Sequence, residues 1–220
     1  GARTPHTGAV NYTETDSRIP AAAITVEDAE LLQRMQDRGT PGWVHLEMNA
    51  RLLPDAESAN VVGEILGWER PEEVVVVGGH IDSWDVGTGS TDDGGGCIVT
   101  WEALRIINQL GLRPRRTLRV VLWTNEENGL RGATAYRDRY DKQLADHIMM
   151  LESDSGVSRP RGFLFTGNPR GRETVGAIAS LLRGIDAHRI GPNGGGADIG
   201  PSVRAANIPS MSLDVDSSNY

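Results

Sequence analysis

Three stretches of this chain leave an apolar run and open at once on groups that can ligate or titrate. Gly78-Gly79-His80-Ile81-Asp82 follows the four valines at 74–77, Thr124-Asn125-Glu126-Glu127 follows the run 118–123, and Glu152-Ser153-Asp154 follows the run 148–151. A fourth acidic pair, Asp92-Asp93, stands directly before Gly94-Gly95-Gly96. Brought together, these carboxylates repel one another and drive some of their number to the protonated form unless cations hold them. A metal is the economical answer. One imidazole among carboxylates suits zinc, with weaker matches to cobalt or manganese, because calcium and magnesium prefer all-oxygen shells. Two metals sharing a carboxylate would clamp a substrate for hydrolysis and acidify a bridging water. A carboxylate next to a ligand, the relation of Glu126 to Glu127, is placed to take that water's proton.

Such residues meet only if the strands that carry them end at one sheet edge. The runs 61–66, 74–77, 118–123 and 147–151 read as strands, and the unbroken β-branched run 74–77 suits a strand buried on both faces. Between them, Ile98, Trp101, Leu104 and Ile107 recur at helical spacing, and residues 130–144 and 174–185 predict further helices. The alternation predicts an α/β fold, a largely parallel sheet with helices on both faces. In sheets of that kind ligands bind beyond the carboxyl ends of the strands, where His80 and the acidic pairs fall. His147 opens its strand while Asp154 follows it, a separation of roughly 20 Å at strand rise, which excludes that histidine. Upstream, Thr25 with Asp28 resembles a capping box, and Leu31, Leu32 and Met35 form a stripe that ends before Gly39, so a helix is expected there. Residues 43–48 read as a strand. The polar, turn-like run 53–60 reads as a domain boundary, with one segment over 1–57 and the main domain over 58–220.

Composition narrows the partners. Lys and Arg total 22 against 30 Asp and Glu, a net charge of −8, which argues against nucleic acid and anionic membrane surfaces, since both require a basic face. No apolar run approaches the ~18 residues of a membrane span. The single cysteine, Cys97, excludes an internal disulfide framework and a thiolate zinc knuckle. Gly194-Gly195-Gly196-Ala197-Asp198 lacks the lysine and spacing of a phosphate loop and reads as a substrate-pocket loop in which Asp198 could meet a peptide terminus. Trp84 could line the same pocket. The chain opens on Gly1 without a basic-then-apolar leader, so a fragment of a longer protein is expected, with any targeting signal outside it.

Taken in order, Gly79-His80-Ile81-Asp82-Ser83-Trp84-Asp85, Asp92-Asp93-Gly94-Gly95-Gly96 and Leu122-Trp123-Thr124-Asn125-Glu126-Glu127 resemble the co-catalytic di-zinc exopeptidases of the carboxypeptidase Q type. The resemblance runs from Thr4-Pro5-His6-Thr7-Gly8 to Tyr220. It implies two Zn2+ ions, with His80 and Asp154 on one, Glu127 on the other and Asp92 shared. It also implies Glu126 as general base, Asp82 orienting the His80 ring, and a cis peptide between Asp92 and Asp93. Residues 1–57 would be the end of a cap domain preceding a catalytic domain over 58–220. A fifth ligand, a histidine, would follow Ser217-Ser218-Asn219-Tyr220. These 220 residues alone are therefore expected to hold at most one zinc tightly and to show negligible activity. Ser90-Thr91 and Asn125 depart from the pattern. The expected reaction is hydrolysis of dipeptides or short peptides by a metal-activated water, with a homodimer as one open assembly and a secreted or periplasmic location. An aminopeptidase of the same fold and a non-catalytic metal- or peptide-binding fragment are the alternatives.

Overall fold

The computed structural model describes residues 19–40, 42–49, 51 and 53–216. Both ends of the resemblance, at 4–8 and 217–220, lie outside the described residues. The chain divides into two compact units, one up to Glu57 and one from Ser58 onward.

In the first unit, α1 (Val26–Asp37) starts as its sequence dictates. Thr25 Oγ1 accepts from the Asp28 amide at 3.1 Å and donates to the Asp28 carboxylate at 2.8 Å, which satisfies donors left open at a helix start. Gly39 closes it at φ +70. None of the helix residues is buried. The strand expected at 43–48 is absent: these residues have no regular structure, and Trp43 is 96% exposed. An alternating pattern becomes a strand only where a neighbouring strand offers a ladder, and no such pairing exists there among the described residues.

The second unit is built on β1 (Val61–Ile65), β2 (Arg70–His80), β3 (Arg116–Trp123), β4 (His147–Glu152), β5 (Pro160–Thr166), β6 (Arg189–Gly191) and β7 (Ser210–Val215). They form one sheet in the order β1-β3-β2-β4-β7-β5-β6. The inner four strands, β3, β2, β4 and β7, run parallel, β1 pairs antiparallel with β3, and β5 pairs antiparallel with β7 but parallel with β6. The sheet is therefore mixed but mostly parallel.

Alternation along β2 separates its faces. Val74 and Val76 pack with Val121, Trp123 and Met150 under Tyr136 of α3 (Arg131–Arg139) and beside Ile199, next to α5 (Gly200–Ala206). On the opposite face, a side chain at Gly79 would run into Asp93 and the start of α2 (Gly95–Gln109). Helices thus cover both faces. The helix expected at 130–144 is α3 followed by a 3-10 turn, Asp141–Asp146. The one expected at 174–185 begins earlier, as α4 (Pro169–Ala179), because Asn168 caps it by accepting from the Gly171 amide at 2.8 Å, and it tightens to a 3-10 turn over Ser180–Ile185. The strands β5, β6 and β7 and the helix α5 were not expected.

His147 sits at the far end of the sheet. Its Nδ1 donates to the Gln143 carbonyl at 2.9 Å, and its Nε2 lies 2.8 Å from the Tyr136 hydroxyl. That hydroxyl also accepts from Arg119, whose guanidinium pairs with Glu64 of β1 at 2.6 Å. Burial lowers the His147 pKa, so this ring stays neutral as part of the packing.

Candidate active site

Parallel register delivers three chain exits to one edge. His80 lies opposite Trp123 in the β2–β3 ladder, and Gly78 lies opposite Glu152 in the β2–β4 ladder. The residues just beyond these strand ends therefore converge, as the spacing along the chain requires.

His80 is the centre of the cluster and is 1% exposed. Its Nδ1 donates to the Asp82 carbonyl at 2.8 Å, and its Nε2 lies 3.0 Å from Asp92 Oδ1 and 3.6 Å from Asp154 Oδ1. Because a carbonyl can only accept, Nδ1 carries a proton and Nε2 is the atom turned toward the carboxylates. Burial works against a charged ring, but Asp154 and its acidic neighbours outweigh it and lift the pKa to about 10. That shift favours the protonated ring, and a divalent cation would take the place of the Nε2 proton. Ligand atoms of His80, Glu126 and Glu127 lie within 4.8 Å of one another, as do those of His80, Asp93 and Asp154. Glu127 Oε1 and Asp154 Oδ1 are buried without a hydrogen-bond partner. An imidazole nitrogen and open carboxylate oxygens at this spacing fit a zinc-type cation.

Carboxylates that look alike in the sequence differ here in what their oxygens already hold. Asp82 accepts from the Glu126 amide at 3.0 Å and the Glu127 amide at 3.3 Å, while its Oδ1 stands 3.6 Å from His80 Nδ1. The ring is thus oriented by the Asp82 backbone carbonyl, and the side chain holds the loop after β3. In that loop Asn125 sits at φ +63, a left-handed conformation that asparagine tolerates better than most residues do. Asp93 accepts from the His80 amide and from the Gly96 amide, both at 3.1 Å. Its neighbours Gly79 and Gly96 must be glycine, since a Cβ at either would collide with this carboxylate. Burial and the charge of Asp154 push Asp93 up to about 8. Although near enough to count among metal-binding groups, Asp93 has committed both oxygens to backbone, whereas Asp92 has its Oδ1 on His80. The Asp92–Asp93 peptide is cis.

Burial raises the pKa of Glu126 and Glu127, with neighbouring acids adding to it. Asp198 is 1% exposed with neither oxygen partnered, and burial with the charges of Glu152 and Glu126 pushes it up to about 9. Trp84 is half-buried in the loop after β2. Glu152, the last residue of β4, opens the third acidic exit in the sequence but was assigned no role there. It is 1% exposed and accepts from the Ala197 amide at 2.9 Å and the Ile199 amide at 2.8 Å. A charged residue closing a buried apolar strand was the signal available. A cavity of about 810 Å³ lies elsewhere, on an apolar stretch with Val75, Leu118, Met149 and Phe165, and none of these carboxylates lines it.

Among the described residues no helix is long and apolar enough to cross a membrane. Known proteins resemble this chain in sequence and fold. Carboxypeptidase Q of Xenopus laevis is 47% identical over 98% of this chain, and that of Mus musculus 45% identical over the same share. The chain spans about half the length of these curated relatives, 46% of each. A peptidase M28 precursor from Shewanella amazonensis SB2B superposes with a TM-score of 0.89 at 33% identity, over 99% of this chain and 49% of that one. A zinc aminopeptidase from Bacillus subtilis shares the fold, with a TM-score of 0.57 at 23% identity over 70% of this chain and 39% of that one. Residues 60–217 match the sequence pattern of peptidase family M28, and with these identities the chain belongs to that family.

Proposed function

We propose that this chain carries the catalytic segment of a zinc-dependent exopeptidase that hydrolyses dipeptides or short peptides, in the manner named for its carboxypeptidase Q relatives. The observation that carries this reading is the His80 ring, with Nδ1 committed to the Asp82 carbonyl and Nε2 facing Asp92 and Asp154. His80 and Asp154 would hold one zinc and Glu127 a second, with Asp92 between them. When bound, zinc supplies a polarised substrate carbonyl and a water whose pKa is drawn toward neutrality.

The chain's own groups do the rest. Glu126 removes a proton from the attacking water and returns it to the leaving nitrogen, a role that suits a carboxylate whose pKa burial has raised toward the working pH. Asp82 keeps Glu126 and Glu127 in place through their amides. Asp198 and Trp84 form the substrate wall. Residues up to 57 belong to the end of a cap domain.

Zinc content and turnover of alanyl-alanine, free and N-acetylated, test this in the full-length protein. Glu126→Gln should retain zinc and lose roughly 100- to 10,000-fold in kcat, whereas Asp92→Asn should lose zinc. Equal zinc loss in both would show that base and ligand are misassigned. Preference for the free or the blocked peptide separates recognition of the amino terminus from indifference to it.

A further inference from the structure

Three carboxylates at this sheet edge each receive two backbone amides: Asp82 those of Glu126 and Glu127, Asp93 those of His80 and Gly96, and Glu152 those of Ala197 and Ile199. The first two pairs fix residues of the proposed metal and base machinery. The third fixes the residues on either side of Asp198, whose own oxygens are buried and unpartnered. By the same logic, the residue held by Glu152 is held for use.

We propose that Glu152 is a positioning residue: through the amides flanking Asp198 it aims that carboxylate as the recognition group for the positively charged amino terminus of a dipeptide substrate. This rests on the peptidase reading above. Glu152 is well suited to the task because it cannot drift. It lies in register between Gly78 of β2 and Ser212 of β7, inside the sheet. A Cβ at Gly196 would collide with its carboxyl group, so only glycine lets the loop come this close. The far end of the loop is pinned by Ser210 Oγ, which donates to the Gly194 carbonyl at 2.9 Å. An arriving ammonium draws down the Asp198 pKa that burial had raised, and the ionised carboxylate then offers acceptors only to the ammonium's three donors. Removal of the oxygens from water strengthens the pairing of opposite charges, while a peptide's carboxylate end would be repelled there.

The test uses full-length protein, with kcat, KM and zinc content measured on alanyl-alanine and N-acetyl-alanyl-alanine. Glu152→Gln keeps the shape but turns an NH2 group toward one of the two amides. The KM for the free dipeptide should rise on the order of 10- to 100-fold, the effect of a misplaced group, with kcat and zinc little changed. Asp198→Asn should give the same pattern, and the double variant should be no worse than either single one, as coupled residues require. Gly196→Ala, which pushes the loop off an intact Glu152, should reproduce the KM effect if Glu152→Gln folds poorly. Additive losses, zinc loss at unchanged KM, or equal use of both peptides by wild type would overturn the proposal. Wild type inactive on both peptides overturns the peptidase reading and this inference with it, whereas active wild type with unaffected variants overturns the inference alone.

Discussion

Replacing Asp82 by asparagine separates two jobs that its position combines. The side chain holds the Glu126 and Glu127 amides, while the backbone carbonyl holds His80 Nδ1 and survives the substitution. Asparagine keeps one acceptor oxygen and presents its NH2 group to the other amide, so one charge-assisted bond is lost and a donor faces a donor. Bonds to charged groups contribute about 1.5–3 kcal/mol. With the Asp82 side chain 22% exposed, water relieves part of the loss and the lower half of that range applies. The equilibrium between the ordered and the displaced loop then shifts by about 10- to 40-fold, since about 1.4 kcal/mol is a factor of ten. In full-length Asp82→Asn the expected result is a kcat loss of that size with zinc content retained, measured by dipeptide turnover and by mass spectrometry of bound metal. A kcat within threefold of wild type would refute the loop-holding role. A kcat loss that tracks zinc loss would show that the carboxylate acts on the metal through the His80 ring instead.

Two other outcomes follow from the same groups. Without metal, Asp93, Glu152 and Asp198 have folded pKa values of about 8, 7 and 9, and His80 about 10, all raised. For such groups the stabilisation is fully present below the unfolded values and is lost as pH rises through the folded ones. The melting temperature of chelator-treated protein should therefore fall between pH 6 and 9.5, and a flat or rising profile by calorimetry would contradict the assignment. Gly79→Ala should cost about 1–3 kcal/mol, the penalty of overpacking, because its Cβ would displace the buried Asp93 carboxylate; an unchanged melting temperature would mean that Asp93 moves freely.

The sequence exposes elements whose side chains all favour one state. The valines of β2 are apolar throughout and the run 118–123 of β3 is apolar but for Arg119, so strand is the economical reading, and the residues that follow them mark the site directly. β7, Ser-Met-Ser-Leu-Asp-Val, does alternate polar and apolar residues, but its length of six and its serines leave the signal weak. Ser210 and Ser212 are nevertheless buried, and Ser210 uses its hydroxyl to hold Gly194. The opposite error, the strand expected at 43–48, came from an apolar pattern with no ladder to join. Within the site, residue type identified which groups could ligate but not which oxygens were free. Asp82, Asp93 and Glu152 differ from Asp92 and Asp154 through backbone amides that, apart from that of Gly96, come from 13 to 47 residues away, and no local signal announces those distant ones.

Trp123 gives this edge an optical signature. The chain has five tryptophans; Trp43, Trp68 and Trp101 are 96%, 56% and 52% exposed, Trp84 is half-buried, and Trp123 is fully enclosed, directly opposite His80 in the ladder. Its indole N–H has no partner, and its ring meets Tyr136 edge-on at 6.2 Å. An aqueous quencher such as iodide should dim the outer tryptophans and leave a blue-shifted emission dominated by Trp123. That residual light originates one strand away from the imidazole, so charge arriving at or leaving His80 is read by an indole the protein already contains.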